Sequence, residues 1–210
     1  MTDLDDLISR ARALAASTRR RLLGICGAPG SGKTTLAEQL VTALGDRAVL
    51  VGMDGFHLSQ RELRRLGREP RKGAPDTFDA AGYVELIRRL RRNGPEQPDA
   101  ETVYAPEFRR ELEEPIAGAV PVAPEVPLVI TEGNYLLLRD PPWGGLHDVL
   151  DEVWFVEPDE PVRLARLVAR HRRYGRADAE AHDRAHGSDQ VNATRILATV
   201  ELADLVIRDE

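Results

Sequence analysis

The sequence predicts an α/β fold of three layers, a parallel sheet of five strands with helices on both faces. Three observations predict it. Short apolar runs recur at Arg21–Cys26 and at residues 48–53, 126–131, 152–156 and 205–207, the pattern of strands buried on both faces. Segments of helical periodicity fill the intervals, so strand and helix alternate as in parallel sheets. A glycine-rich turn joins the first apolar run to the helix behind it.

Taken in order, residues 4–18 place Leu4, Leu7, Ile8, Ala11, Leu14 and Ala15 on one stripe, which predicts an amphipathic helix packed on the side of the domain. Arg21–Cys26 is the first strand, and Lys33–Leu44 the helix after the glycine turn. Residues 48–53, bounded by Asp46 and Asp54, form the second strand. The remaining runs supply the third, fourth and a short fifth, with helices expected over residues 80–92, 160–173 and 188–203. The stretch 59–120 breaks this rhythm. It is highly charged, contains Pro70, Pro75, Pro95, Pro98, Pro106 and Pro115, and carries one convincing helix. It reads as an insertion at the top of the sheet, a lid or substrate cup inside a single domain of residues 1–210. Tyr83, Tyr104 and Phe108 argue against a disordered linker.

Composition narrows the function classes. With 42% hydrophobic and 30% charged residues the chain has material for a core and a soluble surface. A net charge of −6 argues against non-specific nucleic-acid binding, which needs a basic face to displace counterions. Cys26 is the only cysteine, in an apolar strand, so a disulfide framework and a cysteine metal cluster are excluded and an inert buried thiol is expected. The first eight residues are acidic and lack the apolar centre of a signal peptide. No apolar run approaches the ~18 residues of a membrane-spanning helix. A cytoplasmic protein without membrane partner is the expectation, as a monomer or homodimer.

Gly27-Ala28-Pro29-Gly30-Ser31-Gly32-Lys33-Thr34 matches G-x-x-x-x-G-K-[ST] at every fixed position, with a strand before it and a helix after it. Glycines let successive backbone N–H groups turn inward around phosphate oxygens. The helix adds the positive end of its dipole. Lys33 is expected to reach the β- and γ-phosphates and the Thr34 hydroxyl to ligate Mg²⁺, with Thr35 completing the nucleotide-binding segment.

Asp54 ends the second strand, where open α/β sheets bind ligands. A carboxylate there can orient an acceptor hydroxyl and take its proton late in phosphoryl transfer; it can also simply cap a turn. His57 is a candidate substrate contact or an ordinary surface histidine. Glu132 closes the third strand, followed by Gly133, the arrangement in which an acidic residue reaches magnesium directly or through water. Arg163, Arg166, Arg170 and Arg173 share one helical face before Tyr174-Gly175-Arg176, either a solvated basic face or a lid over the phosphates at about 163–187, with Arg166 and Arg170 the catalytic candidates.

Residues 27–34, Met53-Asp54-Gly55-Phe56-His57-Leu58, 72–79 and 129–138 together resemble the P-loop kinases that group uridine kinase, phosphoribulokinase and bacterial pantothenate kinase. Within that family the chain looks closest to the nucleoside/nucleotide or fructose-type kinase branch. The resemblance implies a P-loop NTPase fold, ATP and Mg²⁺, Asp54 as base and Glu132 near the metal. It further implies that His57, Lys72, Tyr104, Glu132 and Asn134 serve the acceptor, a sugar, nucleoside or pantothenate-like alcohol. Relatives usually carry aspartate or histidine after the aromatic of Tyr104-Ala105-Pro106-Glu107-Phe108, whereas this chain has Arg109-Arg110. Basic residues at Arg61, Arg64, Arg65, Arg68, Arg71 and Lys72 outnumber Glu62 and Glu69, which can attract an anionic acceptor or form a solvated helix face. The competing reading is a regulatory nucleotide switch. No N-K-x-D guanine signature is present, and Asp79 is expected to cap a helix.

Overall fold

The computed structural model describes residues 3–208. Five parallel strands form the main sheet: β1 (Arg21–Cys26), β2 (Ala48–Gly52), β5 (Leu128–Gly133), β6 (Glu152–Glu157) and β7 (Leu205–Arg208), in the spatial order β2-β5-β1-β6-β7. β3 (Val103–Arg109) and β4 (Glu114–Val122) pair separately as an antiparallel hairpin. The helices are α1 (Leu4–Ala15), α2 (Lys33–Leu44), α3 (Gln60–Arg65), α4 (Ala80–Arg91), α5 (Glu160–Arg173), α6 (Asp178–His186) and α7 (Ser188–Leu197).

The two-residue period of the strands divides the core into two layers. On β1, Leu22 and Cys26 point to one face, where α4 and the hairpin pack, and Leu23 and Ile25 point to the other, under α1 and α2. β5 repeats this with Val129 against Leu128 and Ile130, and β6 with Val153 and Phe155 against Trp154 and Val156. Leu7, Ala11 and Ala15 of α1 are buried, so the amphipathic N-terminal helix is a side layer. This is the α/β three-layer P-loop fold, with both sheet faces covered.

Several boundaries depart from expectation for identifiable reasons. β2 stops at Gly52, and Met53–Phe56 winds into a 3₁₀ turn, so Asp54 sits on that turn and not on the strand. The last helix ends at Leu197, with a separate 3₁₀ turn at Val200–Leu202. α6 has no wide apolar stripe; Ala181 and Ala185, one turn apart, are enough to seat it on Leu167 and Val168 of α5. Asp79 caps α4, its carboxylate accepting from the Gly82 amide at 2.9 Å.

Candidate active site

Strand order brings the ends of β1, β5 and β2 side by side, and with them the glycine turn, Glu132 and the Asp54 turn. In the turn itself Gly30 and Gly32 have φ of 85° and 94°, a region where a β-carbon is strained. A β-carbon on Gly30 would also stand 2.6 Å from the Arg163 carbonyl oxygen. Gly32 caps α2, so Lys33 and Thr34 open the helix at its positive end. Lys33 is buried and its ammonium makes no hydrogen bond among the described residues. The Ser31 hydroxyl is buried and equally without a partner. A buried cation and an orphaned hydroxyl at a helix N-terminus suit an anionic ligand.

Glu132 is 7% exposed, with the Thr34 side chain beside it. Below it, the Tyr83 hydroxyl donates to Thr131 Oγ1 at 2.6 Å, and Thr131 donates to the Val51 carbonyl at 2.6 Å, pinning β5 to β2. Burial raises the Glu132 carboxyl above its ordinary value, with Lys33 opposing and Asp54 adding to the effect. Burial lowers the Lys33 ammonium, against the pull of Glu132 and Asp54. Two hard oxygen donors, Thr34 and Glu132, beside a phosphate cradle fit Mg²⁺ that keeps waters and phosphate oxygens as its other ligands. Among the described residues no cluster of three or more His, Cys, Asp or Glu side chains could hold a metal alone.

Asp54 is partly exposed at the mouth of a cavity of about 400 Å³ whose lining includes Pro29, Lys33, Thr34, Asn134 and Arg170. Burial alone would raise its carboxyl. His57, Arg110, Lys33 and Arg170 outweigh that and hold it below the ordinary range, so it is ionised near neutrality. The His57 ring lies between Phe78 and Phe108, at centroid distances of 4.0 and 4.8 Å, and its Nδ1 is 2.9 Å from the Asp54 carbonyl oxygen. Burial lowers the imidazole from its ordinary value, with Asp54 opposing. Lys72 lies 4.8 Å over the Phe108 ring and donates to the Glu113 carbonyl at 2.7 Å. Burial pushes the Cys26 thiol up to about 11, an unreactive group behind the site.

The sequence candidates thus separate. Lys33, Thr34, Asp54, His57, Lys72, Asn134 and Arg170 line one cavity, with Pro29. Gly27, Ala28, Ser31 and Glu132 are buried directly behind it. Thr35 is exposed on α2, and Arg166 is exposed on α5 with one guanidinium nitrogen 3.6 Å from where a Gly32 β-carbon would stand. Tyr104 is not in the pocket: it is 62% exposed. The hairpin register shifts between Ala105 and Glu107, and this bulge exchanges the faces, so Val103 and Ala105 point inward before it and Phe108 and Arg110 after it. Pro106 was the available signal, since proline inside a strand marks a bulge or an edge. Arg163 also leaves the expected basic face. It is 1% exposed and donates to the Pro29 carbonyl at 2.8 Å and to Glu160 at 2.7 Å, bracing the phosphate turn from behind. Arg173 is exposed.

A parallel sheet whose first strand runs through a glycine turn into a helix N-terminus, with an acidic side chain on the neighbouring strand, is the architecture of P-loop phosphotransferases. The comparisons carry this further. An AAA-domain family model matches residues 22–118. A Schizosaccharomyces pombe protein provisionally named a uridine kinase is 32% identical over 99% of this chain and 91% of its own length. An ATP-dependent kinase-like protein of Aspergillus versicolor is 35% identical over 69% of this chain and 87% of that one. A crystal structure from Silicibacter sp. TM1040, provisionally named a fructose transport system kinase, superposes with a TM-score of 0.85 at 38% identity, covering 98% of both chains. The chain belongs to the family of P-loop kinases that includes the uridine kinase-like proteins. No helix among the described residues is long and apolar enough to cross a membrane.

Proposed function

We propose that this kinase transfers the γ-phosphoryl group of ATP to a hydroxyl of a small molecule, a sugar, nucleoside or pantothenate-like alcohol. The observation that carries the reading is the single cavity shared by Lys33 and Thr34 on one side and Asp54 on the other. Its volume of about 400 Å³ suits a small ligand.

In this reading the turn amides of residues 27–32 and Lys33 hold the phosphates, and Arg170 faces the transferring group. Thr34 and Glu132 would hold Mg²⁺, which when bound would neutralise charge on the phosphoryl oxygens. Asp54, ionised and beside His57, orients the acceptor hydroxyl. The acceptor oxygen bonds to the γ-phosphorus as the bond to the β–γ bridging oxygen breaks; ADP leaves and the hydroxyl proton passes to Asp54. The hairpin β3–β4 and the α5–α6 segment cover the acceptor and exclude water.

Coupled ADP-release measurements over sugars, sugar phosphates, nucleosides and pantothenate, at fixed ATP and magnesium, test the proposal. Stoichiometric ADP and phosphorylated product with at least one compound supports it. Nucleotide-dependent capture of a protein partner, with no alcohol stimulating turnover, would replace it with the switch reading.

A further inference from the structure

The structure sets Arg110 directly on the candidate base. Its Nη2 lies 3.2 Å from Asp54 Oδ2. The bulge in β3 turns Phe108 and Arg110 to the cavity. Gly55 then fixes the hairpin over the Asp54 turn, since a β-carbon there would stand 2.5 Å from the Pro106 carbonyl oxygen. The same guanidinium lies 5.8 Å over the Phe108 ring and 5.9 Å over Tyr174, at the end of α5. It therefore stands where hairpin, lid and base meet.

Two features give this contact a consequence. First, it engages a carboxylate oxygen of Asp54, which an incoming hydroxyl needs. Second, it is a single-point pair with the Arg110 side chain 36% and the Asp54 side chain 29% exposed, the kind that exchanges readily. A neutral alcohol offers the guanidinium nothing better than Asp54. A phosphate or carboxylate does, because arginine pairs with oxyanions through two parallel hydrogen bonds. Lys72, ion-paired with Glu113 at 3.2 Å, stands over the same Phe108 ring, and Arg184 also lines the cavity, so two further basic side chains border the same space.

We propose that Arg110 is a positioning residue that reserves the site for acceptors bearing an oxyanion: the acceptor's phosphate or carboxylate draws the guanidinium off Asp54 and frees it for the hydroxyl. The inference rests on the kinase reading above and names the acceptor class within it.

Matched acceptors test it: fructose against fructose phosphates, uridine against uridine monophosphate, and panthenol against pantothenate, each with saturating magnesium and ATP. For the pair that is turned over, the anionic member is expected to have a kcat/KM at least ~100-fold above the neutral one, because a neutral acceptor leaves Arg110 on Asp54. Arg110→Gln should shrink that ratio to below ~10-fold by losing the anionic substrate while the neutral one keeps or gains kcat; Arg110→Lys should restore part of it. Preference for the neutral member, or an equal loss for both members in Arg110→Gln, overturns the inference and leaves the kinase reading intact. If no pair is turned over while magnesium and ATP bind, the kinase reading itself fails. Independently of turnover, calorimetric titration of inorganic phosphate into protein loaded with a non-hydrolysable ATP analogue should show binding weakened ~10-fold or more in Arg110→Gln. Equal binding by both proteins removes Arg110 as the oxyanion contact.

Discussion

Replacing Arg163 by methionine asks whether the phosphate turn is held from behind by a side chain of α5. The guanidinium is buried and donates to the Pro29 carbonyl at 2.8 Å and to Glu160 at 2.7 Å. Methionine keeps much of the stem's packing and leaves the Pro29 carbonyl without its donor. An orphaned buried carbonyl costs about 1–3 kcal/mol. The Glu160 side chain is 44% exposed, so water replaces most of what it loses, and that pair is discounted to about 1 kcal/mol or less. The expected loss is therefore about 1–4 kcal/mol, a factor of about 5 to 1,000 in the folded-to-unfolded ratio. Urea denaturation should show a lowered midpoint with an unchanged slope. Because Pro29 lies inside the turn, ATP affinity measured by calorimetry should fall as well, by about tenfold. Arg173→Ala, on the same helix but exposed, should change stability by no more than about 0.5 kcal/mol. An Arg163→Met protein with wild-type midpoint and wild-type ATP affinity would refute the bracing role.

Three further outcomes follow from the geometry. Gly55→Ala drives a β-carbon into the Pro106 backbone, so it should lose about 1–3 kcal/mol of stability and raise the acceptor KM more than the ATP KM. Tyr104→Ala should leave both KM values unchanged and Phe108→Ala should raise the acceptor's, which steady-state kinetics will separate. Asp151 receives Arg21 at 2.6 Å, Arg91 at 2.9 Å and the Leu22 amide at 2.8 Å; burial pushes its carboxyl up, and these donors outweigh that and hold it below the ordinary value. Its contribution is thus present above about pH 4 and lost as pH falls through the folded-state value, so Asp151→Asn should cost about 2 kcal/mol in urea at pH 7 and progressively less below pH 4.

Local physics made much of this legible. β1, α2 and α5 fall where the apolar period, the glycine turn and the helical pattern of residues 160–173 place them, because there propensity and packing agree. The phosphate cradle is contiguous in sequence, so its chemistry could be read directly. The proposed acceptor side is assembled from distant segments, and its contact of Arg110 with Asp54 spans residues that no period links. Tyr104 was expected at the acceptor and lies outside it, because a bulge is a one-residue event that inverts every side chain after it and leaves Phe108 and Arg110 facing the cavity. Arg163 looked like its exposed neighbours, since helical spacing names a face but does not say what covers it. The helix α6 stayed hidden because two alanines bury too little surface to mark a stripe.

In the proposed function Asp54 is the base of a transfer site that shares its cavity with the nucleotide. The most direct test is Asp54→Asn in single-turnover phosphoryl transfer to an acceptor identified in the ADP-release panel, with the ATP dissociation constant measured on the same protein. The expected result is an ATP affinity within about threefold of wild type and a transfer rate lowered by ~10²–10⁴, the range for losing a general base. Transfer at the wild-type rate, with ATP bound equally well, would contradict it.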